Sequence, residues 1–279
     1  MTFKDYRSHF IQTLMPLYDE GEAERFFYIT LQELKGWRRV DFALNTGYLL
    51  ADTELSKWNE VCAQLQQQKP IQYIFGHTWF YGLQFKVNEH TLIPRPETEE
   101  LADWIIVENA AGSSIVDIGT GSGCIAITLA KNIEGSEVSA MDISTGAIEV
   151  ATANAAANGV SIQFILQDVL ALSELPRKYD VIVSNPPYVR NLEKEEIKPN
   201  VLEFEPHTAL FVEDTDPLIF YRKIAQLAKE GLNPGGKLYF EINQYLGPET
   251  VELLKSLGFV TVELRKDMFG NDRMIKAVL

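Results

Sequence analysis

Only two cysteines, Cys62 and Cys124, occur among the 279 residues, far apart and in no Cys-x-x-Cys pair. That pattern excludes a disulfide-stapled scaffold and predicts a reducing compartment. A chain of this length can bury a large core without such staples, and its length suggests two domains. No apolar run approaches the roughly 20 residues that a membrane helix requires. Residues 1–10 carry Lys4, Asp5 and Arg7 where a secretory signal would be apolar, so a cytoplasmic protein is expected. Positive charge is scarce: 25 Lys and Arg face 39 Asp and Glu, for a net charge of −14. This balance argues against a nucleic-acid partner. His9, His77, His90 and His207 are scattered without metal-ligand spacing, and no metal is expected. A phosphate-binding Gly-Lys-Ser/Thr is missing. So is a Gly-x-Ser-x-Gly nucleophile elbow, because Thr120 stands two residues before Ser122.

The charge that is present is uneven. Residues 1–85 hold eight Lys and Arg against ten Asp and Glu, a balance of −2, which leaves −12 for the remainder. Near 4–16, 21–35 and 53–68, apolar residues recur three and four apart, as in Trp58, Val61, Cys62 and Leu65. That spacing gives each helix one apolar face and predicts a small helical bundle. Asp52-Thr53 offers N-cap chemistry for the last helix, and Lys69-Pro70 offers its stop. Residues 79–87 then read as two short strands turning at Gly82.

Beyond the hairpin, strand-like runs at 114–118, 137–141, 162–166, 179–184 and 237–242 alternate with helical stretches, notably 147–158 and 217–230. Such alternation implies an α/β fold with a mostly parallel sheet covered on both faces. Residues 260–264 and 274–279 break the rhythm and should pair antiparallel at a sheet edge. The expected organisation is therefore a helical domain over 1–76, a linking β-hairpin over 77–90 and an α/β domain over 91–279, the part that would carry any catalysis.

Ligands gather at the carboxyl ends of the central strands in an open parallel sheet. The first such end reads Gly119-Thr120-Gly121-Ser122-Gly123, where glycines permit a sharp turn and close approach to a ligand. The next strand ends in Asp142, nineteen residues beyond Gly123. An acid there can accept both hydroxyl protons of a ribose. The bland alternative is a tight strand–helix turn with a capping acid. A nucleoside ligand explains loop, spacing and acid together, and on this loop alone NAD stays open.

The fourth strand ends in Ser184-Asn185-Pro186-Pro187-Tyr188. Consecutive prolines fix the backbone and remove two N–H donors. The Asn185 side-chain oxygen and nearby carbonyls can then converge on one planar NH2 group, with Tyr188 as a flat surface against its plane. Holding both hydrogens orients a poorly nucleophilic nitrogen towards an electrophile. A rigid loop leaving a strand is the plainer alternative.

Together these residues resemble S-adenosylmethionine-dependent methyltransferases that modify planar nitrogens. The resemblance sharpens at Pro70-Ile71-Gln72-Tyr73-Ile74-Phe75-Gly76 and at Leu92-Ile93-Pro94-Arg95-Pro96-Glu97-Thr98-Glu99. With Glu205-Pro206-x-x-Ala209-Leu210 and Gly270-x-Asp272-Arg273, the chain is similar to the HemK/PrmC family of protein glutamine methyltransferases. The resemblance implies a seven-stranded Rossmann-like methyltransferase domain behind a helical N-terminal one. It implies methylation of the glutamine amide in the Gly-Gly-Gln motif of peptide chain release factors, leaving S-adenosylhomocysteine. Gly119, Thr120, Gly121, Ser122, Gly123, Asp142 and Asn185 would contact the cofactor, with Asp168 and Val169 near its adenine. Asn185, Pro186, Pro187 and Tyr188 would hold the glutamine.

Release factors are the implied protein partner, with a monomeric enzyme and no membrane or direct nucleic-acid binding expected. The helical domain is expected to recognise the substrate. Rival readings are a ribosomal-protein glutamine methyltransferase, a nucleic-acid exocyclic amine methyltransferase, and, from another class, a non-catalytic nucleoside-binding module or NAD oxidoreductase. Arg95 to Glu99 read equally as a stabilised helix start or as a brace for substrate. Cys124, at a helix start, should pack beside the glycine loop, where its position could lower its pKa.

Overall fold

Local capping explains why the N-terminal residues become helices. In the computed structural model, which describes residues 1–279, Thr2 accepts the Asp5 N–H ahead of α1 (Phe3–Leu14). Asp19 does the same for Glu22 ahead of α2 (Glu20–Lys35). Then come α3 (Arg39–Leu44), α4 (Asp52–Gln66) and α5 (Ile71–Phe75). The start of α4 corrects the expected Asp52-Thr53 cap. Ala51 is the extended residue before the helix, and its N–H donates to Glu54 Oε2 at 3.0 Å. A carboxylate inside the first turn thus satisfies the donor by reaching backwards. Phe3, Phe10, Phe27, Phe42 and Trp58 build an aromatic centre, with Phe3 and Trp58 edge-on at 5.2 Å.

Residues 1–76 with 199–204 form one compact unit, and residues 77–198 with 205–279 form a second. The second opens on a hairpin of β1 (His77–Phe80) and β2 (Leu83–Lys86). Its turn residues Tyr81 and Gly82 both have positive φ, +49° and +74°. That pair matches the right-handed twist of the strands. Phe80 and Phe85 belong to the core of this second unit.

The main elements that follow are α6 (Pro96–Glu108), β3 (Ser114–Ile118), α7 (Cys124–Asn132), β4 (Glu137–Asp142), α8 (Thr145–Asn158), β5 (Gln163–Leu166) and β6 (Tyr179–Ser184). A small parallel pair, β7 (Val189–Arg190) and β8 (Phe211–Val212), flanks α9 (Pro199–Phe204) and α10 (His207–Leu210) in the chain. The chain closes with α11 (Ile219–Gly231), β9 (Leu232–Glu241), α12 (Gly247–Ser256), β10 (Thr261–Lys266) and β11 (Asp272–Val278).

Seven strands form one sheet in the order β10-β11-β9-β6-β3-β4-β5. β9, β6, β3, β4 and β5 run parallel to one another, while β11 runs antiparallel to β9 and to β10. Leu101, Ile105, Ile125 and Leu129 pack in one apolar cluster, and Tyr221, Ile224, Leu227 and Leu254 in another. The chain order reverses beside β3, with β4 on one side and β6 on the other. This is where an open α/β sheet leaves a crevice. Strand β9 begins five residues earlier than the apolar run at 237–242 indicates, because Tyr179 pairs with Leu232 across a register shift. No helix is long and apolar enough to cross a membrane.

Candidate active site

The residues after β3, β4 and β6 meet around a cavity of about 390 Å³. Gly119 and Gly121 have φ of +77° and +55°, and a Cβ on either would meet nothing within 4 Å. The loop therefore bends as L-residues resist bending and leaves open space on its cavity side. Ser122 also lines the cavity, and its buried hydroxyl has no hydrogen-bond partner in the chain. Thr120 lines the cavity as well, with its hydroxyl donating to Asp117 Oδ2 at 2.6 Å. Gly123 opens α7 and is not on the wall; a Cβ there would lie 3.1 Å from that of Ala151.

Asp142 closes the other side of this cradle. Its Oδ2 accepts the Gly121 N–H and its Oδ1 the Ser144 N–H, each at 2.9 Å. Each oxygen retains acceptor capacity, so the pair can still receive two vicinal hydroxyls. Asp168 follows the neighbouring strand, and its Oδ1 accepts the Leu170 N–H at 2.8 Å. Asp168 and Val169 both line the cavity.

Asn185, Pro186 and Pro187 line it from the end of β6. Asn185 is half-buried, and no hydrogen bond within the chain engages its side-chain amide. Ser184 donates to the Ile118 carbonyl at 2.6 Å and so ties the starts of the two loops together. Tyr188 is placed differently from its three predecessors. It is absent from the cavity wall, packs against the apolar cluster around Tyr221 and Phe240, and donates its hydroxyl to Glu241 Oε1 at 3.1 Å. Burial raises the Tyr188 pKa above the ordinary phenol range, and the Glu241 charge adds to the rise.

Two predicted features acquire definite surroundings. Arg95 lines the cavity and pairs with the buried Glu205 at 2.5 Å, while Thr98 donates to Glu241 Oε2 at 2.6 Å and Glu99 accepts the Tyr81 N–H. Burial pushes the Cys124 thiol up to about 12, with the Asp117 charge adding to it. The lowering that a helix start can bring does not occur, because the sulfur is cut off from water.

Sequence reasoning missed several wall residues, among them His90, Ile143, Gln167, Phe211 and Phe220. Ile143 carried a signal, as an apolar residue directly after the strand-ending acid; it is 63% exposed. The others come from separate elements and share no local pattern. No group of His, Cys, Asp and Glu is placed to hold a metal ion.

Sheet order and cradle define a Rossmann-like α/β fold with a crevice at its topological switch point, and comparison with known proteins narrows the class. The Methyltransferase small domain family matches residues 101–203, and the PrmC N-terminal domain family matches residues 7–76. A Pyrococcus furiosus methyltransferase structure shares the fold, with a TM-score of 0.54 and 20% identity over 71% of this chain and 89% of that one. The release factor glutamine methyltransferase of Flavobacterium psychrophilum is 56% identical over 99% of both chains. That of Bacteroides thetaiotaomicron is 42% identical over 95% of this chain and 96% of its own. The chain belongs to the release factor glutamine methyltransferase family.

Proposed function

We propose that this methyltransferase moves the methyl group of S-adenosylmethionine onto the side-chain amide nitrogen of the glutamine in the Gly-Gly-Gln motif of peptide chain release factors. The observation that carries this reading is Asn185: an unengaged amide on the wall of a cavity whose adjoining wall is the glycine cradle.

The residues present suit the cofactor. Gly119 and Gly121 leave room against the backbone, the Ser122 hydroxyl lacks a partner, and Asp142 has acceptor capacity for ribose hydroxyls. Asp168 and Val169 would meet the adenine, with Ile143 and Phe220 as apolar wall. When bound, S-adenosylmethionine supplies an electrophilic sulfonium methyl group.

The chain supplies position. The Asn185 side-chain oxygen and the Pro186 carbonyl accept both hydrogens of the glutamine amide and aim its nitrogen at the methyl carbon. Pro187 keeps the turn rigid. No strong base is required, since the amide proton becomes acidic only once nitrogen has gained its fourth bond.

Residues 1–76 serve recognition. They hold no nucleoside motif, and one glutamine offers too little surface to distinguish a protein, so binding energy must come from elsewhere on the substrate. The test is incubation with labelled S-adenosylmethionine and a purified release factor, then peptide mapping. Label on the Gly-Gly-Gln glutamine supports the reading. Absence of label there, with label instead on a ribosomal protein or nucleic acid offered in parallel incubations, overturns it.

A further inference from the structure

Tyr188 is held at both ends. Its hydroxyl donates to Glu241 Oε1 at 3.1 Å, and its carbonyl accepts from Asn243 Nδ2 at 2.9 Å. Glu241 ends β9 at 1% exposure, and its second oxygen accepts from Thr98 Oγ1 at 2.6 Å. Asn243 also donates to the buried Glu193 at 2.9 Å. Behind them Arg273, bonded to Asp267 and to the Ile242 carbonyl, places a positive charge that offsets the carboxylate. The turn bearing Asn185 is thus gripped from behind by two side chains of one strand end.

Stability alone gives no reason for that carboxylate. Its neighbours Phe240 and Ile242 are apolar and fully buried, and an apolar residue would continue the core without the cost of desolvating a charge. What a carboxylate adds is direction, because two hydroxyls can donate to its two oxygens at fixed angles.

We infer that Glu241 is a positioning residue for methyl transfer: by gripping the Tyr188 hydroxyl it fixes the turn on which Asn185 and the Pro186 carbonyl hold the reacting amide. This rests on the proposed function, and it gives Tyr188 the part of a strut whose hydroxyl matters. A tyrosine serving only as a flat surface for the substrate would need its ring alone.

Three substitutions in the full chain separate these roles. Tyr188→Phe removes the hydroxyl and keeps the ring, Glu241→Gln keeps one acceptor, and Glu241→Leu keeps none. Turnover on a Gly-Gly-Gln peptide and on release factor is measured, with KM for both substrates and the affinity for S-adenosylmethionine. Tyr188→Phe should lower kcat about tenfold while leaving cofactor affinity within about twofold, the signature of a lost transition-state alignment. Glu241→Leu should lose at least as much, Glu241→Gln should recover part of it, and Tyr188→Phe added to Glu241→Leu should cost nothing more. Normal kcat in Tyr188→Phe overturns the inference and leaves the proposed function standing. So do losses that multiply in the double variant, or a matching fall in cofactor affinity. Should Glu241→Leu not fold, Tyr188→Phe and Glu241→Gln decide the matter. Absence of transfer by the unsubstituted enzyme overturns both.

Discussion

Asp142 Oδ2 accepts the Gly121 N–H at 2.9 Å, so the acid ending β4 and the glycine loop after β3 form one rigid cradle. Removing that carboxylate takes away two hydroxyl acceptors and loosens the loop. Asp142→Ala should weaken S-adenosylmethionine binding by about 1.5–3 kcal/mol, the range for charge-assisted hydrogen bonds. Calorimetry on the folded variant measures this, and unchanged affinity rejects the ribose role.

Asn185 separates binding from chemistry. Its side chain makes no hydrogen bond inside the chain, so its loss should leave the fold intact. Asn185→Ala should retain stability yet lower methyl transfer at least about tenfold, as expected for one modest transition-state interaction. Turnover near normal, at saturating cofactor and peptide, would exclude the role.

A pH dependence of stability resides in β3. Asp117 is fully buried, and desolvation pushes its carboxyl up to about 7, with Asp142 adding to the rise and the Thr120 hydroxyl holding it back. The folded chain therefore binds this proton more tightly than the unfolded chain. The contribution is full below the unfolded carboxyl pKa of about 4 and is lost as pH rises through the folded value near 7. Asp117→Asn cannot ionise. Its stability relative to the unsubstituted chain should improve by about 1–3 kcal/mol between roughly pH 5 and pH 8, since each tenfold difference in proton affinity corresponds to about 1.4 kcal/mol. Urea unfolding at each pH reads the difference, and a difference constant with pH rejects the assignment.

These sites are legible in the sequence in unequal measure, for physical reasons. Asp142 and Asn185 each close a strand-forming run, and in a parallel sheet the ends of neighbouring runs converge. Sequence position therefore indicates spatial position. Glu241 and Thr98 lie 143 residues apart and bond side chain to side chain, which no local pattern encodes. Arg95 and Glu205 are separated by 110 residues and stay hidden for the same reason. Helices α3 and α5, of six and five residues, are too short to display a period. Cys124 packs in the core as its position suggests, but the direction of its pKa is not legible, because sequence shows a helix start and not its isolation from water.

The hairpin decides how the helical unit should be removed to test its part in recognition. Phe80 and Phe85 are 1% and 0% exposed in the core of the second unit, and the Lys86 N–H donates to Asn154 Oδ1 at 2.7 Å. A cut near residue 86 would strip two aromatic side chains from that core, at about 3–5 kcal/mol each by the cost of Phe→Ala changes. A chain beginning at His77 keeps both. It should bind S-adenosylmethionine with near-native affinity, since every cavity residue lies beyond the cut. It should also still methylate a short Gly-Gly-Gln peptide, whose few contacts are all near the reacting nitrogen. Intact release factor should suffer far more, by at least about tenfold in kcat/KM relative to the peptide, because the remote binding energy is gone. Equal losses on peptide and protein would assign residues 1–76 to stabilising the catalytic unit, and no loss on either would leave them without a part in recognition.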